Sequence, residues 1–265
     1  MVAPPPTSVL PLAGAIELAS HAIDERLADR VLAYWSLGVE RPPARVRVLP
    51  DGLVDLVFDL DTAEAHVAGV VRDPFEATHQ RVTHLLGVAL RPGAAAPLLG
   101  VPVGALDTGW QPLAALVGEV ATALAARLRD LPGIEPRLAL LESFLLARLG
   151  GVDPRVTRAL DAIAASDGDI GVARLGRHSG ASPRNLHRLF HEWVGVAPKR
   201  FARIVRAQAA LRRLRQRPPP DLASLAIELG FSDQAHLSRE LRALTGLPPT
   251  QLAETFKRTT DSYKP

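Results

Sequence analysis

The stretch Asp221-Leu-Ala-Ser-Leu-Ala-Ile-Glu-Leu-Gly-Phe-Ser-Asp-Gln-Ala-His-Leu-Ser-Arg-Glu-Leu241 decides the fold of the C-terminal part of the chain. Its leucines and alanines recur at spacings of three and four up to Leu229, which is the pattern of one helix face. Gly230 then offers a residue that tolerates positive φ, and Ser232 or Asp233 can cap a second helix. The pattern predicts a helix-turn-helix. The face of the second helix away from its leucines carries Gln234, Ala235, Ser238, Arg239 and Arg242.

The same pattern occurs once before in the chain. Asp169 is the expected cap of its first helix, and Gly180 stands just past the end of that helix. Ser182-Pro183 opens the second helix in the favoured order, a hydroxyl cap followed by proline in the first turn. Off the apolar stripe of that helix lie Arg184, His187, Arg188 and His191.

A basic amphipathic segment, 198–217, joins the two patterns, and Pro218-Pro219-Pro220 stops it. A helix of twenty residues spans roughly 30 Å, close to the roughly 34 Å between successive major-groove faces on one side of B-DNA. Two helix-turn-helix units with this spacer predict a pair of recognition helices on one side of a duplex.

Two segments resemble the C-terminal domain of AraC/XylS-type transcription regulators: Gly195-Val-Ala-Pro-Lys-Arg-Phe-Ala-Arg-Ile-Val-Arg206, and the run from Ala226 through Gly230-Phe-Ser-Asp-Gln-Ala-His-Leu-Ser-Arg239 to Thr245-Gly-Leu-Pro-Pro249. The resemblance covers roughly 153–255, and the chain departs from it at Leu237, Leu241 and Leu252-Ala253. It implies a sequence-specific regulator that is not an enzyme and binds double-stranded DNA, with RNA polymerase as a partner if it activates. The positions that match the base-facing ones of the family are Arg184, His187, Arg188, Gln234, Ala235, Ser238 and Arg239. Candidates for contacts to phosphate are Ser182, Lys199, Arg200, Arg203, Arg206 and Arg242.

The charge distribution agrees with a polyanionic partner for the C-terminal half. From Val152 onward the chain holds 19 Lys and Arg against 11 Asp and Glu, a net charge of +8, while residues 1–151 carry −5. Cysteine is absent, so disulfides, thiolate zinc sites and cysteine nucleophiles are excluded. The first residues lack a signal-peptide pattern, and no run of eighteen apolar residues exists. We therefore expect a cytoplasmic bacterial protein without a membrane segment.

The N-terminal half predicts an α+β domain that precedes the all-α double helix-turn-helix domain. Alternating apolar residues predict strands in 31–37, 45–49, 53–60, 66–71 and 82–90, which would form a small β-barrel or a curled antiparallel sheet. Helices are expected at 94–99, 112–129 and 136–149. The predicted division is a disordered N-terminus 1–14, an N-terminal domain 15–150, the DNA-binding domain 153–256 and a flexible tail 257–265.

Three hypotheses remain for the N-terminal domain. It could sense a small-molecule effector, with His66 and His84 as candidate pocket residues, although a core position for His84 is favoured. It could be a pure oligomerisation module, with the helices at 112–129 and 136–149 joining a homodimer. A cupin-like enzyme tethered to DNA is disfavoured, because His79 and His84 would face opposite sides of a regular strand.

Asp55 and Asp59 share the polar face of one strand, after Asp51 in the turn, and a solvated face is expected there. No metal and no cofactor are expected.

Overall fold

The N-terminal half of the chain is an antiparallel sheet flanked by helices, and the C-terminal half is helical. The computed structural model describes residues 8–107, 109–216 and 218–260, with side chains as far as Phe256. The strands are β1 (Val9–His21), β2 (Val31–Val48), β3 (Val54–Asp59), β4 (Glu64–Ala68), β5 (Phe75–His79), β6 (Thr83–Leu90) and β7 (Trp110–Pro112). The helices are α1 (Ala95–Leu99), α2 (Ala114–Val117), α3 (Val120–Asp130), α4 (Ile134–Leu146), α5 (Pro154–Ala165), α6 (Val172–Ser179), α7 (Pro183–Trp193), α8 (Pro198–Leu214), α9 (Leu222–Glu228), α10 (Gln234–Thr245) and α11 (Pro249–Thr260).

The strands form one open, curled sheet with the order β1-β2-β6-β3-β4-β7, and β5 pairs with the second half of β2. The sequence therefore predicted the fold class correctly, and of the two shapes considered the curled sheet is the one adopted. The register between β1 and β2 shifts three times between Pro11 and Glu17. Such irregularities increase the local bend and twist of a strand pair, which suits a sheet that curls over one face.

Several predicted boundaries are wrong. Strand β1 begins at Val9, inside the stretch 1–14 that was expected to be disordered. The strand forms there because Leu10 is fully buried and pairs with β2. Residues 1–7 lie outside the described residues. Strand β5 was not predicted. The single helix expected at 112–129 is two helices, since Gly118 has a φ of 79° that an α-helix does not allow. Helix α11 continues to Thr260, into the predicted tail, and residues 261–265 lie outside the described part.

The two faces of the sheet have different neighbours. Val54, Leu56 and Phe58 on β3 belong to an apolar cluster that includes residues of α1, α3 and α4. Val57 on the other face of β3 joins a separate cluster with residues of β1, β2 and β6, such as Leu37. Both faces of β3 are therefore covered, whereas the sequence predicted a half-buried strand.

The C-terminal half contains the two predicted helix-turn-helix units, α6–α7 and α9–α10, with α8 between them. Three of the four helices in these units have a side-chain N-cap. Ser182 of α7 accepts a hydrogen bond from the N–H of Asn185, Asp221 of α9 from that of Ser224, and Asp233 of α10 from that of His236. Gly180 and Gly230 have positive φ in the two turns, as predicted. Asp169 does not cap α6, whose N-cap is Gly171; instead its carboxylate lies 2.9 Å from the guanidinium of Arg206.

Apolar contacts cross the predicted domain boundary. One cluster combines the helix-covered face of the sheet with the cores of α5, α6 and α7. A second combines Leu10 of β1 and Leu49 at the end of β2 with α8, α9, α10 and α11. Both leucines are at most 1% exposed. Both helix-turn-helix units therefore share a core with the sheet. In the part of the chain that the structure describes, no helix has the length and apolar character needed to cross a membrane.

Candidate nucleic-acid interface and the cavity of the sheet

Helix α7 buries one face and presents a basic one. Leu186, Leu189 and Phe190 are at most 1% exposed. Arg184, His187 and Arg188, the predicted base-contacting residues of this helix, are all exposed. Arg188 donates to Glu192 at 2.7 Å and to Asn185 Oδ1 at 3.1 and 3.2 Å. These bonds lay its guanidinium along the exposed face of the helix.

Helix α10 repeats this arrangement. Leu237 and Leu241 are fully buried, while Gln234, Ala235, Arg239 and Arg242 are exposed and Ser238 is half-buried. The backbone N–H of His236 lowers the pKa of Asp233, so the cap of α10 stays ionised at neutral pH. A carboxylate at this end is also favoured by the helix dipole.

The candidate phosphate contacts on α8 fall into two groups. Lys199 is exposed. Arg200 donates to the carbonyl oxygen of Arg72 and to Asp73, and Arg203 makes a bidentate pair with Glu240 at 2.9 and 3.0 Å. Arg206 donates to the carbonyl oxygens of Gly168 at 3.0 Å and of Gly230 at 3.3 Å. In this structure the three arginines hold parts of the protein together.

The two predicted pocket histidines lie apart. His84 is part of an exposed network with Asp61 and Glu40, at 2.8 Å from each. Hydrogen bonds to these carboxylates raise the pKa of His84. The favoured core position for His84 is therefore wrong, because its side chain is 40% exposed. His66 lies against the ring of Trp110, with 5.4 Å between ring centroids. The described residues hold no group of three or more His, Asp or Glu side chains that could bind a metal ion.

The concave face of the sheet encloses an open cavity of about 830 Å³ that sequence reasoning did not find. Its walls are mainly apolar and come from β1, β2, β3, β5 and β6; they include Leu18, Leu37, Val46, Val57, Ala77 and Leu85. Phe75 and Trp110 also line it, although both rings are largely exposed to solvent. Two carboxylates, those of Asp51 and Asp55, lie among the apolar walls.

Asp55 is the central polar group of this cavity. The indole Nε1 of Trp35 donates to Asp55 Oδ1 at 2.8 Å. Burial, and then the neighbouring charge of Asp51, raise the pKa of Asp55 to about 7. Burial also raises the pKa of Asp51, whose Oδ1 accepts from the N–H of Leu53 at 2.9 Å. The alternation in β3 was the available signal, but the expected solvated face is the inside of a cavity.

The cavity touches helix α8 at two places. Next to Asp51, the carbonyl oxygen of Pro50 accepts from Gln208 Nε2 at 2.6 Å. A β-carbon on Gly52 would lie 2.5 Å from the ring of Phe201, so this turn fits closely against α8. At the rim of the cavity, Arg200 binds Arg72 and Asp73. The helix between the two helix-turn-helix units thus contacts two segments of the cavity wall.

Comparison with known families assigns the C-terminal region to the helix-turn-helix proteins. Residues 175–255 match the family model described as "Helix-turn-helix domain". This match lies within the region 153–255 whose motifs resemble AraC/XylS-type domains. Residues 21–108, which include most of the sheet, match a "Domain of unknown function (DUF6597)".

The curated relatives match only part of this chain and only part of their own length. Over 108 residues the chain is 34% identical to the HTH-type transcriptional regulator GlxA of Rhizobium meliloti, covering 41% of this chain and 30% of that protein. Over 85 residues it is 29% identical to the HTH-type transcriptional regulator Rv1931c of Mycobacterium tuberculosis, covering 32% of each chain. The chain thus spans about a third of the length of the curated relatives it matches.

Solved structures show weaker likenesses. A probable AraC family transcriptional regulator from Rhodopseudomonas palustris is 29% identical, with a TM-score of 0.35, and covers 40% of this chain and 97% of that one. ToxT from Vibrio cholerae O395 is 9% identical, with a TM-score of 0.46, and covers 94% and 96% of the two chains. These scores are too low to support an argument about function.

Proposed function

We propose that this protein is a sequence-specific DNA-binding regulator of transcription in the bacterial cytoplasm. The observation that carries the proposal is the pair of similar helices, α7 and α10, each with a buried leucine stripe and an exposed basic face. Each follows a glycine turn in a helix-turn-helix, the motif that places its second helix in the major groove. The net charge of +8 from Val152 onward supplies the attraction to phosphate.

Helix α8 sets the distance between the two recognition helices in this proposal. Its 17 residues correspond to about 25 Å of helix, shorter than the 198–217 segment expected from the sequence, so α7 and α10 themselves supply the rest of the roughly 34 Å between successive major-groove faces. Base edges are read by the residues that face away from the core: Arg184, His187, Arg188, Gln234, Ala235, Ser238 and Arg239. Phosphates are contacted by exposed groups near them, with Ser182, Lys199 and Arg242 as the first candidates.

The N-terminal sheet has the role of an effector-binding domain in this proposal. A ligand-sized cavity favours this role over a pure oligomerisation module, which needs no cavity. The contacts of Pro50, Gly52 and Asp73 with α8 offer a route by which ligand binding would change the helix that separates the recognition helices. Homodimerisation and contact with RNA polymerase stay proposals of the same kind.

The salt dependence of duplex binding by the full chain tests the electrostatic part of the proposal. Contacts to phosphate release counterions, so log affinity should fall linearly with log salt concentration. Lys199→Ala should weaken binding to all sequences nearly alike and reduce the slope by about 1. Arg127→Ala in α3, which removes the same charge from an exposed position of the N-terminal half, is the control and should leave the slope unchanged. A folded protein whose affinity for DNA at low ionic strength is absent or independent of salt would refute the proposal.

A further inference from the structure

The cavity of the sheet combines an apolar body with an acidic end. The side chains of Leu37, Val46, Val57 and Leu85 belong to one apolar cluster and form its walls. Its volume of about 830 Å³ lies within the range of small-molecule sites in proteins. A ligand that fills it would bury a substantial apolar surface, which supplies most of the binding free energy in such sites.

The polar groups inside the cavity select the charge of that ligand. Asp51 and Asp55 both line it, on the turn before β3 and on β3 itself. The other titratable lining groups are Arg72, Asp73 and His79. Burial lowers the pKa of His79, which is therefore neutral at pH 7. Arg72 and Asp73 are both exposed, unlike Asp51 and Asp55, and Asp73 pairs with Arg200 of α8. The carboxylates of Asp51 and Asp55 thus remain as the acidic groups among the apolar walls.

Two aromatic rings favour the same ligand chemistry. Phe75 is 42% exposed and Trp110 is 50% exposed, yet both line the cavity. Large rings at the opening of an apolar cavity can cover an incoming apolar group, and their faces attract cations. Trp35, at the acidic end, already donates to Asp55 Oδ1, so a ligand ammonium would share the carboxylate with the indole.

We propose that this cavity binds an organic cation, with its ammonium group at Asp51 and Asp55 and its apolar body between the strands of the sheet. The organic cation would be the effector of the proposed regulator, and only this regulatory role rests on the proposed function. Binding of the cation itself is independent of DNA.

Titration calorimetry on the full chain without DNA tests the proposal. The probes are 4-phenylbutylammonium and two analogues with the same body, neutral 4-phenylbutanol and anionic 4-phenylbutyrate. The cation should bind at least about tenfold more tightly than either analogue, since a desolvated charge pair contributes that much or more. Because the pKa of Asp55 is about 7, this carboxyl is mostly protonated at pH 6 and ionised at pH 8. Affinity for the cation should therefore be about tenfold weaker at pH 6 than at pH 8.

Variants separate the carboxylate from the shape of the cavity. Asp55→Asn keeps an oxygen for the indole of Trp35 and should reduce the preference for the cation, and Asp51→Asn together with Asp55→Asn should remove it, while 4-phenylbutanol binds as before. Glu64→Gln, on the exposed end of β4 and outside the cavity lining, should change neither affinity. The wild-type pH dependence needs no variant, so a misfolded Asp55→Asn protein would not remove the test. Equal affinity of the wild type for the three probes, or a preference for the cation that survives replacement of both carboxylates, would overturn the inference. Cation binding without any DNA binding would uphold it and refute the proposed regulator.

Discussion

Among single residues, Gly87 is the one that allows Trp35 to reach Asp55 at the acidic end of the cavity. Trp35 and Gly87 are paired across β2 and β6, and the indole extends over the glycine towards β3. A β-carbon at Gly87 would lie 2.0 Å from Trp35 Cε2, much closer than real β-carbons approach other atoms. Only glycine therefore lets the indole reach Asp55 across β6.

Gly87→Ala should consequently displace the indole and lower the free energy of unfolding by about 1–3 kcal/mol, the usual cost of overpacking. Urea denaturation followed by circular dichroism measures this loss. The matched control is Gly38→Ala on β2, whose new β-carbon would meet Glu17 Cβ at an ordinary 3.8 Å. That variant should be as stable as the wild type or slightly more stable. Equal stability of the two variants would show that the indole does not lie over Gly87.

The polar alternation of β3 was visible in the sequence, but its meaning was not. Asp55 lies on the face opposite Val54 and Leu56, as the period of two predicts. Whether such a face meets solvent or a cavity depends on the curl of the sheet. The curl follows from the register of β1 against β2, and the shifts between Pro11 and Glu17 leave no short local pattern in the sequence. His66 and His84 were chosen as pocket residues without knowledge of the curl; His84 lines a separate cavity of about 840 Å³ together with Glu40 and Asp61.

At the scale of elements, Arg206 of α8 ties the two helix-turn-helix units together. Its guanidinium donates to the carbonyl oxygens of Gly168, just before α6, and of Gly230, in the turn between α9 and α10. It also pairs with Asp169 and lies 5.3 Å from the ring centroid of Phe231. One side chain thus joins the start of the first unit to the turn of the second.

Arg206→Ala should lower the free energy of unfolding by about 1–3 kcal/mol, because hydrogen bonds from a charged donor to both carbonyl groups are lost. Lys199→Ala, on the exposed face of the same helix, should leave stability within about 0.5 kcal/mol of the wild type. Thermal unfolding of the two variants in parallel measures the difference. If Arg206→Ala were as stable as Lys199→Ala and weakened DNA binding to the same extent, Arg206 would be a phosphate contact, as the sequence suggested, and no structural tie.

Local signals predicted the C-terminal elements well and the N-terminal ones less well. The caps Ser182 and Asp233 and the turn glycine Gly230 act within a few residues, so the sequence contains their whole effect. Asp169 was wrongly assigned as a cap because its actual partner, Arg206, is distant along the chain. Strand β5 was missed for a related reason: Phe75–His79 is short and is stabilised by its pairing with the second half of β2.

At the scale of the whole molecule, the sheet and the helix-turn-helix units form continuous apolar clusters. Leu10 and Leu49 of the sheet pack with α8, α9, α10 and α11, and Gln208 of α8 bonds the turn beside Asp51. A ligand that moved this turn would therefore act on α8, the helix between α7 and α10, without a separate connecting segment. Sequence composition predicted two domains from their charges, but it could not predict that they share a core, since that depends on contacts distant along the chain.

Whether α7 and α10 both read DNA can be tested by comparing the base preference of three full-length proteins. Wild type, Arg188→Ala and Arg239→Ala would each be selected against a library of randomised duplexes and the bound sequences compared. We expect two sub-sites about 10–10.5 bp apart, with Arg188→Ala relaxing the base preference in one and Arg239→Ala in the other. Each loss should amount to about 1–3 kcal/mol if the arginine contacts guanine through two hydrogen bonds. Relaxed preference at the same bases in both variants, or in only one variant, would show instead that a single helix-turn-helix reads the DNA.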